Sequence, residues 1–186
     1  MIRKLPVVLM LALALPATAL AQQKAAPQSA AAKIADAMVA GPRSVTAHAT
    51  IMDWPASPNG KPTVLRAGTN GWVCYPRMPG QPNDNPMCLD GAWQKWAEAY
   101  MGHKPYAPTA FGISYMLGPK DEASNTDPYA TKPTATNEWG SDGPHLMLLV
   151  PPDGLKGVPT KRTNAGPYVM WPGTPYAHIM VPIAGT

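Results

Sequence analysis

Polar and apolar positions along the 186-residue chain change period several times, and each change predicts an element. Trp93, Trp96, Ala97, Tyr100 and Met101 recur at i, i+3, i+4, i+7 and i+8, which is one stripe of a helix. Gln94, Lys95 and Glu98 take the opposite side, Asp90 is a suitable N-cap and Gly102 a suitable stop. A shorter helix is expected from Ser29 through Ala40, with Ile34 and Met38 on one side and Gly41-Pro42 ending it. From Val45 the pattern turns strand-like, and two Asn-Gly pairs, Asn59-Gly60 and Asn70-Gly71, punctuate it. Asn-Gly supplies the two positive φ angles of a type I′ turn. Residues 45–54, 62–67 and 72–76 are therefore expected as three consecutive antiparallel strands.

Further strands are expected at 111–117, 145–150, 168–172 and 177–183, the last two joined by Pro172-Gly173-Thr174-Pro175. Between Pro119 and Pro144 the chain has almost no aliphatic side chains and carries Asp121, Glu122, Asp127, Glu138 and Asp142. A loop that long is either functional or disordered. Residues 151–167 form a second long connection, turning at Pro152-Asp153-Gly154. Strands in runs with few interposed helices point to the α+β class. The expected architecture is a mostly antiparallel sheet of about six to seven strands with the Trp-rich helix on one face.

Residues 1–21 read as a secretory signal: Arg3-Lys4, an apolar run from Leu5 to Leu15, then Ala19-Leu20-Ala21 as a small-x-small cleavage site. Residues 22–28 would form a polar, mobile leader, and 29–186 a single α+β domain. Cleavage removes two cations and no acid, so the formal charge falls from +4 to +2. A charge this small, with basic residues in pairs at most, gives no nucleic-acid footprint. No later apolar run reaches the ~18 residues of a membrane span, so none is expected in the mature chain. The expected location is the periplasm or the medium.

Leu, Ile, Val and Phe are scarce in the mature chain, and 9 Met, 6 Trp and 7 Tyr stand in their place. The core is therefore expected to be aromatic and thioether-rich. Cys74 and Cys88 are the only cysteines. In an oxidising compartment they are expected to pair, closing a loop worth roughly 3 kcal/mol in the chain-entropy model.

No GxSxG elbow, HExxH pair, nucleotide-binding glycine loop or EF-hand spacing occurs. Two His-x-Met units do occur, His145-Leu146-Met147 and His178-Ile179-Met180. In a strand, period 2 places each His and its Met on one face, and His48 and Met52 would also share a face. Imidazole and thioether suit copper, Cu(I) above all, in an exported protein. Packing of Met around a hydrogen-bonded imidazole explains the same pattern, because Met is common in this chain. A second candidate lies at Glu138, Asp142 and His145, where a carboxylate–imidazole pair could serve acid–base chemistry of a hydrolase kind. The same acids could instead simply solvate the loop, and calcium held there has no diagnostic spacing.

The stretches Leu65-Arg66-Ala67-Gly68-Thr69-Asn70-Gly71-Trp72-Val73-Cys74 and Tyr168-Val169-Met170-Trp171-Pro172-Gly173-Thr174-Pro175-Tyr176-Ala177-His178 resemble segments of an uncharacterised family of small exported bacterial proteins with no assigned activity. The resemblance spans about residues 34–183 and implies no catalytic or binding residue. The sequence is thus read as an exported binding or interaction module of unknown partner rather than an enzyme. Copper binding and a hydrolase-like site stand as alternatives.

Overall fold

The Trp-rich helix forms where its pattern places it. In the computed structural model, which describes residues 28–57, 60–80, 84–163 and 165–183, it spans Gly91–Met101. Asp90 Oδ1 accepts from the backbone N–H groups of Ala92 and Trp93, and Gly102 is the C-cap. Trp93 and Trp96 are buried, whereas Met101 at the end of the stripe is exposed. In chain order this helix is α3. It is preceded by α1 (Ala30–Met38), the single-turn α2 (Arg43–Thr46), β1 (Thr50–Asp53), β2 (Thr63–Arg66), β3 (Val73–Tyr75) and β4 (Met87–Leu89). It is followed by β5 (Gly112–Met116), β6 (Asp121–Ser124), β7 (Trp139–Asp142), β8 (His145–Leu149), β9 (Tyr168–Met170) and β10 (His178–Pro182). Among the described residues no helix is long and apolar enough to cross a membrane. The signal segment, and the leader up to residue 27, lie outside the described residues.

The fold is α+β: an eight-stranded sheet in the order β2-β1-β3-β4-β5-β8-β10-β9, and a separate β6–β7 pair. Every neighbouring pair is antiparallel except β1 and β3, which run parallel. This corrects the expected three-strand meander: β2 and β3 flank β1 on opposite sides, so the chain crosses over β1 at Gly68–Gly71. Gly68 permits the crossing, because a Cβ there would stand 2.1 Å from the Thr50 nitrogen. Asn70 makes an Asx turn to the Trp72 N–H, and its amide reaches the Val45 carbonyl. The expected strand over 45–54 begins only at Thr50. Ahead of it, the Val45 and Thr46 N–H groups bond to the Pro42 carbonyl and wind α2.

Cys74 and Cys88 face each other across β3 and β4 and are joined by a disulfide, both fully buried. They belong to the face covered by α1, with Ala37, Ala40, Ala49 and Ile51. The other face lies against α3 and holds the larger cluster: Leu89, Trp93, Trp96, Met116, Met147, Leu149, Tyr168, Met170, Tyr176 and Met180. Four methionines and four large aromatic side chains in one cluster replace the missing aliphatics, as the composition implies.

Candidate functional site

Strand register decides which histidines and methionines meet. His145 lies opposite Met116 of β5 and Pro182 of β10; Met147 lies opposite Met180; His178 lies opposite Met170 of β9. All of these share the α3 face, and both histidines are 1% exposed. The leucines flanking Met147 on the reverse face, Leu146 and Leu148, are only half-buried. The His/Met face is therefore the core face.

The two His-x-Met units do not form one four-ligand site. His178 and Pro182 are four residues apart in β10, so His178 stands ~13 Å along the strand from the row of His145. Each ring is also tied toward its own end of the sheet. His145 Nδ1 lies 2.7 Å from the Gly143 carbonyl and His178 Nδ1 2.9 Å from the Tyr176 carbonyl. A carbonyl only accepts, so Nδ1 carries the proton in both rings, and a neutral ring then presents a bare lone pair at Nε2. Both Nε2 atoms are buried and have no hydrogen-bond partner. Burial lowers both imidazole pKa values, that of His178 to about 4 with the charge of His145 contributing. Both rings are neutral at pH 7. A buried acceptor left unpaired costs ~1–3 kcal/mol.

His178 is the more elaborately enclosed. Trp93, Trp96 and Trp171 stand around it at ring-centroid distances of 5.2, 5.6 and 5.1 Å, all nearly perpendicular to the imidazole. Met170 is its cross-strand partner and Met180 the next residue on its own face, both nearly inaccessible. Trp171 adopts a left-handed backbone (φ 54°), a strain of ~1–3 kcal/mol for a bulky residue. It is held there by two bonds to the end of β6: its N–H donates to the Asn125 carbonyl and its Nε1 to the Ser124 carbonyl, both at 2.8 Å. Trp96, Trp171 and Tyr100 stack in parallel, and Tyr129 continues the stack outward to His103.

His48 and Met52 take no part. His48 sits exposed in the turn before β1, and β1 is separated from β8 by β3, β4 and β5. Among the described residues no three His, Cys, Asp or Glu side chains are grouped to hold a metal ion, so a loop calcium site has no support.

The carboxylate candidates divide. Glu138 is exposed, and among the described residues its carboxylate accepts a 3.4 Å bond from Asn125. Asp142 is buried, but it is engaged by other partners than His145. Its Oδ1 accepts from the Tyr168 hydroxyl at 2.6 Å, and Oδ2 faces Arg162 Nη2 at 3.1 Å as an ion pair. Arg162 also donates to the Tyr168 oxygen and to the carbonyls of Ala123 and Glu138. Asp121, which the sequence offers only as one acid among several, lies directly opposite Asp142 in the β6–β7 register and is 9% exposed. Burial, then the nearby charges of Asp84 and Asp142, push its carboxyl up to about 8. No hydrogen bond joins Asp142 to His145. Two surface clefts, of about 340 and 130 Å³, are lined by residues 126–137 and by parts of 106–108, 150–155 and 174–177, and neither includes this cluster. The geometry is that of a clasp between β6, β7 and β9.

No protein-family model, curated protein or solved structure matches the chain.

Proposed function

We propose that the protein is an exported binding module for a soft monovalent cation, Cu(I), held by His178 with the thioethers of Met170 and Met180. The observation that carries this reading is the buried, unpartnered Nε2 lone pair of His178, in a ring whose other nitrogen is pinned by the Tyr176 carbonyl. Metal-binding imidazoles are oriented in this way, by donation of the second N–H to a carbonyl or carboxylate. One neutral imidazole and two neutral thioethers form a soft set that suits Cu(I) and offers nothing to Mg(II) or Ca(II). The three tryptophan rings around the imidazole keep water from it. Export rests on the apparent signal at residues 1–21, and the disulfide is compatible with an oxidising compartment.

The hydrolase alternative draws less support, because Asp142 is occupied by Tyr168 and Arg162 and Glu138 faces solvent.

The test is anaerobic titration with Cu(I) against a competing chelator, with ascorbate rather than a thiol as reductant so that the disulfide survives. Tryptophan fluorescence should quench with one equivalent, since the ring cage adjoins the ligands. His178→Ala should weaken binding about 100-fold, roughly one strong ligand, and Met170→Leu or Met180→Leu about tenfold each. His145→Ala should leave affinity unchanged. Equal affinity in wild type and His178→Ala, both folded by circular dichroism, would reduce His178 to a packed core residue.

A further inference from the structure

We propose that the β6–β7 hairpin is a lid over His178, latched by the facing acids Asp121 and Asp142 and opened when Asp121 loses its proton. What the lid gates rests on the reading of His178 as a metal ligand; the lid itself does not.

The hairpin stands apart from the eight-stranded sheet. It is a two-stranded unit with no ladder to the main sheet, and such a pair is marginal on its own. It nevertheless supplies the cover of the aromatic cage. Ser124 and Asn125, at the end of β6, hold Trp171 through two hydrogen bonds, and the Pro128 carbonyl in the following loop accepts from Tyr100. Tyr129 of the same loop reaches back to the Tyr100 carbonyl. Trp93 and Trp96 of α3 and Trp171 stand around His178, and Trp171 is the one of the three that the hairpin holds, so a cation gains access to Nε2 when that cover moves.

The latch is electrostatically unbalanced by construction. Asp121 and Asp142 are opposite partners in the ladder, where like charges repel. The cation that clasps them is Arg162, whose ion pair goes to Asp142. The other charged or titratable groups around the pair do not redress this. Asp84 adds a further negative charge, Glu122 is itself acidic and paired with Lys120, His145 is neutral, and Tyr168 offers only a neutral hydroxyl to Asp142. The pair is stable in place while Asp121 stays protonated, which burial favours up to about pH 8. Loss of that proton sets two buried carboxylates and Asp84 against a single guanidinium. The hairpin loosens, its bonds to Trp171 break, the strained Trp171 backbone relaxes, and His178 is uncovered.

Hydrogen exchange of the metal-free protein, corrected for the intrinsic pH dependence of exchange, reads the lid directly. Amides of 121–124 and 139–142 should lose about tenfold or more of their protection between pH 7 and 9, while those of β8 and β10 keep theirs. Asp121→Asn, which mimics the protonated acid, should hold the hairpin closed across that range. Asp84→Asn, which leaves the hairpin's own ladder in place, should shrink that loss of protection, because Asp121 then ionises more readily within the closed hairpin and less repulsion remains to open it. Constant protection in the wild type, or an unchanged transition in both variants, would overturn the lid. Cu(I) uptake, followed by tryptophan quenching, should speed up from pH 7 to 9 in the wild type and stay flat in Asp121→Asn. If Cu(I) does not bind at all, exchange still decides the lid, and only the reading of His178 falls.

Discussion

Replacing Gly140 by alanine should weaken the fold through a residue more than twenty positions away. A Cβ at Gly140 would stand 2.0 Å from Arg162 Nη1 and 3.1 Å from its Cζ, so the guanidinium must leave its place. It would take with it donations to the Ala123 and Glu138 carbonyls and to Tyr168, and its ion pair with Asp142. Asp142 is 3% exposed and would keep only its bond from Tyr168. Removing one partner of a buried ion pair costs ~3–5 kcal/mol, and hydrogen bonds from a charged donor contribute ~1.5–3 kcal/mol each. These terms overlap, since they share one group, and a displaced arginine recovers some through water. A loss of ~2–4 kcal/mol is expected for Gly140→Ala, and about the same for Arg162→Met, which keeps the stem without the charge. Urea unfolding of both single variants and the double variant forms the assay. If alanine acts by evicting Arg162, Gly140→Ala should be nearly neutral in the Arg162→Met background. Additive losses in the double variant, or a single-variant loss under ~0.5 kcal/mol, would refute the mechanism.

Two further outcomes follow from buried groups. His178 has a folded-state pKa near 4, below the ordinary 6.5, so its neutral form contributes stability that is fully present above pH 6.5 and lost as pH falls toward 4. Unfolding of metal-free protein should therefore lose roughly 3 kcal/mol over that window, and His178→Gln should flatten the profile; an equally steep loss in the variant would place the effect elsewhere. Cys74→Ala with Cys88→Ala, opening a link between residues 14 apart, should cost roughly 2–4 kcal/mol in denaturant unfolding, and a loss below ~1 kcal/mol would contradict a stabilising disulfide.

The elements legible in the sequence are those specified by neighbours along the chain. Asp90 and Gly102 bracket α3 because capping is decided within four residues, and Pro172-Gly173-Thr174-Pro175 places the β9–β10 turn for the same reason. Alternation assigned His145 with Met147, and His178 with Met180, to common faces, and two cysteines in the chain allow a single pairing.

What the sequence left undetermined depends on partners distant along it. Alternation gives the face of a residue but not its row, so the offset that parts His145 from His178, and the approach of Met116 and Met170, came only with register. The strands Asp121–Ser124 and Trp139–Asp142 contain few residues of high strand propensity, and pairing across fourteen intervening residues formed them where composition reads as loop. Nothing local to Arg162 or Tyr168 signals a partnership with Asp142. Their meeting with Asp142 is imposed by burial, because a carboxylate withdrawn from water requires a cation and a donor wherever along the chain they lie.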